Sequence, residues 1–132
     1  MQARRVPIAL LALVLAACAT ALPPSVKVTD IRTLAGTYSG TTKEDSELDR
    51  STRFVLEPDG KFELVASDPR GFRVLGEMRL DPDGTLYYEY GEQRGSGLVA
   101  KGKAVVHEGD GQRVIVLTKN DGTMTTRVSK SR

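Results

Sequence analysis

The chain has 132 residues, of which 19 are basic and 17 acidic, and it contains one cysteine, one histidine and no tryptophan. One cysteine precludes a disulfide within the chain, and with a single histidine it also precludes a Cys- or His-rich metal site. The small positive excess is not typical of a nucleic-acid-binding protein, so we expect neither a nucleic-acid partner nor a cofactor.

Residues 1–17 have the three parts of an export signal. Arg4 and Arg5 form a positively charged start, residues 6–17 are apolar, and small residues precede Cys18. A membrane-spanning helix needs about 20 apolar residues, so the segment predicts a cleaved signal peptide. Its two arginines account for the whole excess of basic residues. Removing 17 residues from 132 leaves 115 residues with no formal net charge, enough for one domain.

The signal ends in Leu15-Ala16-Ala17-Cys18, which resembles the lipobox of bacterial lipoproteins. The resemblance implies that the Cys18 thiol carries a diacylglyceryl group, that the chain is cut before it, and that the new N-terminus is acylated, with palmitate as a typical chain. Two or three acyl chains hold firmly to a membrane, whereas one binds only reversibly. The alternative is an ordinary signal peptide with an incidental cysteine.

The residue after Cys18 bears on localisation. Ala19 stands where lipoproteins retained in the inner membrane often have Asp. The resemblance therefore implies a lipoprotein of the outer membrane that faces the periplasm. Residues 18–30 contain Pro23-Pro24 and no sustained periodicity, which predicts a lipidated N-terminus and flexible tether. We expect the folded domain to span residues 31–132.

Three turns give the clearest structural signal in the rest of the chain. The stretches 56–62 (LEPDGKF) and 80–86 (LDPDGTL) combine Pro, Asp and Gly in the order that favours a hairpin, and 119–123 (KNDGT) repeats the pattern without Pro. Extending a period of two from these turns predicts an inner face on each hairpin. Its members are Phe54, Leu56, Phe62, Leu64, Ala66, Phe72, Val74, Gly76, Met78, Leu80, Leu86, Tyr88 and Tyr90.

Further strands are predicted at 34–41, 98–107, 113–119 and 123–128, and the terminal RVSKSR reads as a solvated tail. The strand at 113–119 is apolar on both faces, so alternation does not orient it. Eight successive strands with one apolar face close most simply into an all-β, antiparallel up-and-down barrel, which removes exposed edges. A two-sheet β-sandwich is the alternative.

The pattern is similar to that of lipocalins and related small barrels. A short turn at 30–33 precedes Gly36-Thr37-Tyr38, where that family has Gly-x-Trp, and a meander follows. The resemblance implies that Arg127 in the last strand packs over the aromatic ring of Tyr38. It implies the architecture and does not by itself indicate a function.

Small residues on the predicted inner face suggest a cavity. Its lining is predicted to comprise Phe72, Gly76, Tyr88, Tyr90, Ala100 and Gly102. A ligand bound there would be apolar or amphipathic. The alternative is that the small residues let the strands coil tightly around a filled interior, since glycines in strands commonly mark bends or bulges.

No catalytic motif is evident, and we expect a protein that is not an enzyme. His107, the only histidine, falls on the polar phase of its strand beside Glu108 and reads as a surface residue. Three binding hypotheses remain: an apolar small molecule in the barrel, inhibition of lysozyme, and assembly with an envelope protein. The second rests on a faint similarity of 97–106 (GLVAKGKAVV) to lysozyme-inhibitor lipoproteins. The third rests on outward Val55, Val65, Leu75, Tyr87 and Val99.

Overall fold

The computed structural model describes residues 22–44, 49–67, 71–92 and 99–131, so Leu15, Ala16, Ala17 and Cys18 lie outside the described part. The described residues form nine β-strands and one 3-10 helix at Ile31–Leu34. The strands are β1 (Ser25–Val26), β2 (Gly36–Glu44), β3 (Arg50–Leu56), β4 (Lys61–Ala66), β5 (Phe72–Leu80), β6 (Leu86–Glu92), β7 (Val99–Gly109), β8 (Gln112–Lys119) and β9 (Met124–Ser131).

Strands β2 to β9 form a closed antiparallel barrel. Each pairs with the next strand along the chain, and β9 returns to pair with β2, with Gly40 opposite Val128. The predicted eight-stranded up-and-down barrel is therefore confirmed, and its architecture is consistent with a lipocalin-like barrel. The short strand β1 lies outside the eight and pairs with β7. Closure leaves the eight main strands without an open sheet edge.

The three predicted turns have one geometry. In each, an aspartate carboxylate accepts a hydrogen bond from the backbone N–H two residues later, as in an Asx turn. The pairs are Asp59 with Lys61, Asp83 with Thr85 and Asp121 with Thr123, at 2.9–3.0 Å. Gly60 and Gly84 follow two of these aspartates with φ of +94° and +88°, a conformation that costs other residues more than glycine.

The predicted inner faces of the two hairpins are confirmed. Their apolar side chains are buried together in one core, which includes Phe54, Leu56, Phe62, Leu64, Val74, Met78, Leu86 and Tyr88. Pairing also orients β8, which the sequence pattern leaves undecided. Ile115 lies opposite Val106 and Leu117 opposite Ala104, so these side chains point into the barrel.

One end of the barrel, which we call the closed end, carries the 3-10 helix and the turns after β3, β5 and β7. The last carbonyls of a helix have no hydrogen-bond partner within it. Here three side chains of the barrel donate hydrogen bonds to carbonyls at the end of the 3-10 helix. The Arg113 guanidinium donates to Thr33 O at 2.8 Å, the Tyr38 hydroxyl to Leu34 O at 2.6 Å, and Lys130 Nζ to Ala35 O at 3.3 Å. These bonds tie the start of β2 to β8 and β9.

The residue that packs over Tyr38 is Lys130, so the prediction of Arg127 for this role is wrong. Lys130 Nζ lies 5.5 Å from the centroid of the Tyr38 ring, within cation–π range. Arg127 is three residues away, which places it on the opposite face of β9, where it is exposed. The predicted solvated tail is also wrong for the described residues, because β9 runs to Ser131 and Val128 is buried.

The segment before the 3-10 helix also differs from the prediction of a flexible tether. Ser25 and Val26 pair with His107 and Val106 of β7, and Glu108 N donates to Pro24 O at 3.1 Å. Val28 is 7% exposed and belongs to the core. The described part of the predicted tether is therefore attached to the barrel between Pro23 and Val28.

We predict that Tyr38→Phe lowers the free energy of unfolding by about 1–3 kcal/mol, because it leaves the buried Leu34 carbonyl without its partner. Urea denaturation followed by circular dichroism measures the change. The matched control is Tyr87→Phe on the outer face, which should change stability by less than about 0.5 kcal/mol. Equal stability of the two variants would contradict the structural role assigned to the Tyr38 hydroxyl.

Candidate functional site

The residues predicted to line a cavity share the inner face of β5, β6 and β7. Gly76 lies opposite Tyr90, Tyr90 opposite Ala100, and Tyr88 opposite Gly102 in the strand register. Phe72 lies at the start of β5, opposite Ala66, and is partly buried. The structure therefore brings five of the six predicted residues together as cross-strand neighbours, with Phe72 further along the same face.

A continuous series of aromatic rings occupies the barrel interior. The centroid distances are 6.0 Å from Tyr38 to Phe54, 5.2 Å from Phe54 to Phe62, 6.4 Å from Phe62 to Tyr88, and 6.0 Å from Tyr88 to Tyr90. Most of these pairs are tilted or edge-on, arrangements that aromatic rings favour, and the last pair is stacked. The series extends from the closed end toward the opposite end of the barrel, which we call the far end.

The glycines of the predicted cavity provide room for these rings. A methyl group added at Gly102 would lie 2.6 Å from the Tyr88 ring and 2.2 Å from the Thr118 carbonyl oxygen. One added at Gly76 would lie 2.6 Å from the Phe62 ring and 2.7 Å from Tyr90 Cβ. The small residues thus compensate for large neighbours, and the interior at this position is filled with protein.

The two tyrosines of the predicted site are neutral at physiological pH. Burial, with a smaller contribution from the Tyr90 phenol, raises the pKa of Tyr88. Burial, followed by the carboxylates of Glu44 and Asp121, raises the pKa of Tyr90 to about 12. The Tyr90 hydroxyl lies 3.9 Å from the Met124 sulfur. Both phenols therefore serve as packing groups that stay protonated, and this environment does not favour their use as general bases.

A polar cluster near the far end was not anticipated from the sequence. Thr42 Oγ1 lies 2.8 Å from Thr126 Oγ1, and the Thr52 hydroxyl donates to Thr42 Oγ1 at 2.8 Å. The neighbouring Arg50 is 8% exposed and forms an ion pair with Glu44 at 3.2 Å. The threonines fall on the inner phase of β2, β3 and β9, so alternation extended to polar residues would have found them. Their hydroxyls bond to one another, which makes the cluster structural.

Open grooves lie on the outer face of the barrel on both sides of Leu75, which is 43% exposed. A groove of about 710 Å³ is lined by outward residues that include Leu75, Glu77, Tyr87 and Lys101, and a second of about 580 Å³ lies over β3 to β5. The lining of the first groove also includes four residues of the predicted cavity, Gly76, Tyr88, Tyr90 and Gly102. Val55 and Val65 are half-buried, and each lies opposite a charged residue in the register. The outward apolar residues therefore alternate with charged residues. The fifth residue of this prediction, Val99, has a side chain outside the described part of the chain.

The remaining candidates for chemistry have structural surroundings. His107 Nδ1 lies 2.9 Å from Pro23 O, so the ring holds the segment before β1. Within the described ranges, no group of three or more His, Cys, Asp or Glu residues is placed to hold a metal ion. Nor do those ranges contain a helix that is long and apolar enough to cross a membrane.

The residues that suggested a lysozyme inhibitor lie within a regular strand. Lys101 and Lys103 are exposed on the outer face of β7, whereas Gly102 and Ala104 are buried on its inner face. Gly102 is in contact with the Tyr88 ring in the core. The described part of this stretch, from Val99 to Val106, is thus barrel wall rather than a projecting loop.

Comparison with known proteins gives no relative. No protein-family model, curated protein or solved structure matches the chain.

We predict that Tyr88→Ala lowers the free energy of unfolding by about 3–5 kcal/mol, because it removes a ring from a filled interior and leaves a cavity. The variant should also bind a hydrophobic fluorescent dye that the unaltered protein does not bind. Chemical denaturation measures the change in stability. Titration of the folded protein with the dye, without denaturant, measures the binding.

The matched control for that experiment is Tyr87→Ala, at the adjacent position on the outer face. The Tyr87 ring lies 5.7 Å from the Arg79 guanidinium carbon and 6.0 Å from Lys103 Nζ. Loss of these exposed cation–π contacts should cost about 1 kcal/mol or less and create no dye site. Saturable dye binding by the unaltered folded protein would show that the interior is hollow.

Proposed function

We propose that this protein is a lipid-anchored lipoprotein of the bacterial envelope, sorted to the outer membrane and facing the periplasm, which binds an envelope partner without catalysis. The observation that carries the anchoring is the run Leu15-Ala16-Ala17-Cys18 at the end of an export signal. Residue type, spacing and position agree with a lipobox. Acyl chains on Cys18 would attach a barrel with a polar exterior to the bilayer surface.

The filled interior supports a partner on the outer surface over a small molecule in the barrel. Ligand sites in small barrels require space that side chains do not fill. Here the rings of Phe62, Tyr88 and Tyr90 occupy the space beside Gly76 and Gly102. The outer grooves beside Leu75 offer an exposed apolar side chain among charged groups, a combination suited to protein contacts.

The rigidity of the scaffold supports the same function. The described wall is closed, and none of its buried side-chain polar atoms lacks a hydrogen-bond partner. A closed barrel whose buried polar atoms are all hydrogen-bonded should change shape little on binding. It therefore presents a preformed surface and loses little conformational entropy when a partner docks.

The anchoring is tested by metabolic labelling with an alkyne analogue of palmitate in a bacterial host. We predict that the unaltered protein incorporates the label and that Cys18→Ser does not, because serine has no thiol to form the thioether. Ala21→Ser, a similar change three residues later, is the control and should be labelled normally. Label retained by Cys18→Ser, or absent from the unaltered protein, would contradict the proposal.

A further inference from the structure

The chain reaches the barrel on the outer side of β7 at its closed end. His107, which points outward, contacts Pro23 O at 2.9 Å, and a methyl group added at Gly109 would lie 3.0 Å from Pro23 Cβ. Pro23 is five residue steps from Cys18, so an extended chain between them spans at most about 18 Å. The ten residue steps of β7 cover about 33 Å. An anchor at Cys18 therefore keeps the closed end, and the wall beside it, near the membrane.

The wall beside the anchor is basic. The residues that point outward from β7, β8 and β9 include Lys101, Lys103 and Arg127, all exposed, and among the described outward positions of these three strands there is no carboxylate. At the boundary with β6, Lys101 Nζ lies 4.0 Å from Glu89 Oε2, so Lys103 and Arg127 are the cations farther from a carboxylate of the neighbouring strand. Val105 lies opposite Val116, and Val116 opposite Arg127, so an apolar pair adjoins the cations. Val105 is 46% exposed. We call this outer face of β7 to β9 the basic wall.

The other surfaces within reach have a different charge. Turns at the closed end carry Glu57, Asp59, Asp81, Asp83 and Asp110. Hydrogen bonds from Thr85 lower the pKa of Asp83, so this carboxylate stays ionised at neutral pH. On the wall formed by β4 and β5, Arg73 forms an ion pair with Glu63, and Lys61 lies opposite Glu77. Arg32 and Arg79 also lie at the closed end, in ion pairs with Asp30 and Asp81. Both surfaces therefore carry mixed charge and would attract an anionic surface only weakly.

We propose that the basic wall lies against the anionic phospholipid surface to which acylated Cys18 attaches the protein, so that the barrel rests on its side. The inference rests on the proposed function, because the acyl chains supply the attachment. Each Lys or Arg near an anionic bilayer adds to the electrostatic attraction between protein and lipid. The acyl anchor holds these side chains close to the bilayer, where the effective concentration of lipid headgroups is high.

This orientation separates the two faces of the barrel. With β7 to β9 on the bilayer, the opposite wall of β3 to β5 faces away from it. Leu75 and the groove of about 580 Å³ over β3 to β5 belong to that opposite side, whereas the groove of about 710 Å³ extends from Leu75 to Lys101 of the basic wall. The barrel would therefore present its partner-binding surface to the periplasm. The formal net charge of residues 18–132 is zero, but the wall that faces the lipid is basic.

Spin labelling of the full-length, acylated protein in vesicles tests the orientation. A nitroxide is attached at Thr118→Cys on the basic wall, or at Leu75→Cys on the opposite wall, since both positions are exposed and point outward. The vesicles contain phosphatidylethanolamine with about one-quarter phosphatidylglycerol. We expect collisions with a water-soluble nickel chelate to be several-fold fewer at position 118 than at position 75.

Charge reversal supplies the controls. Lys103→Glu with Arg127→Glu should abolish the difference between the two labels, whereas Arg53→Glu with Lys61→Glu, on the opposite wall, should preserve it. Equal accessibility of both labels in protein that is bound to the vesicles would overturn the orientation and leave the anchoring intact. Failure of the acylated protein to associate with vesicles at all would overturn the proposed function and this inference with it.

Discussion

Close packing between aromatic rings and glycines is the constraint on which this structure depends. The barrel can close around Phe62, Tyr88 and Tyr90 only because Gly76 and Gly102 have no side chains at the points of contact. Interiors of proteins are packed as densely as organic crystals, so such complementarity has little tolerance for an extra methyl group. The filled interior around β5 to β7 is a consequence of these contacts.

Because the interior is filled, we propose that a partner binds on the outside of the barrel. The described barrel then has a closed end whose turns carry carboxylates, a basic wall next to the point where the chain arrives, and an opposite wall with Leu75 and the groove over β3 to β5. The hydrogen bonds of Tyr38, Arg113 and Lys130 to three consecutive carbonyls hold the arriving chain in one position. If Cys18 is acylated as we propose, the attachment between Pro23 and β7 would orient the barrel relative to the bilayer.

Much of the fold could be predicted because the barrel obeys local rules. A period of two and the Asp-Gly turns were sufficient for the inner faces of both hairpins. Features that depend on distant residues could not be read in this way. The pairing of β1 with β7 has no signal in the composition of residues 18–30. The family resemblance implies Arg127 over Tyr38, but Arg127 is three positions from Lys130 and therefore lies on the outer face of β9. Whether Gly102 borders a cavity or a ring depends on the rotamer of Tyr88, which sequence alone does not specify.

Native mass spectrometry of the protein extracted from membranes in mild detergent would test whether a filled barrel is held on the bilayer by acyl chains on Cys18. We expect a polypeptide that begins at Cys18, carries the mass of a diacylglyceryl group and an amide-linked chain, and has no stoichiometric non-covalent small molecule. A chain with an unmodified thiol, or one that retains a bound small molecule in its interior, would contradict this expectation.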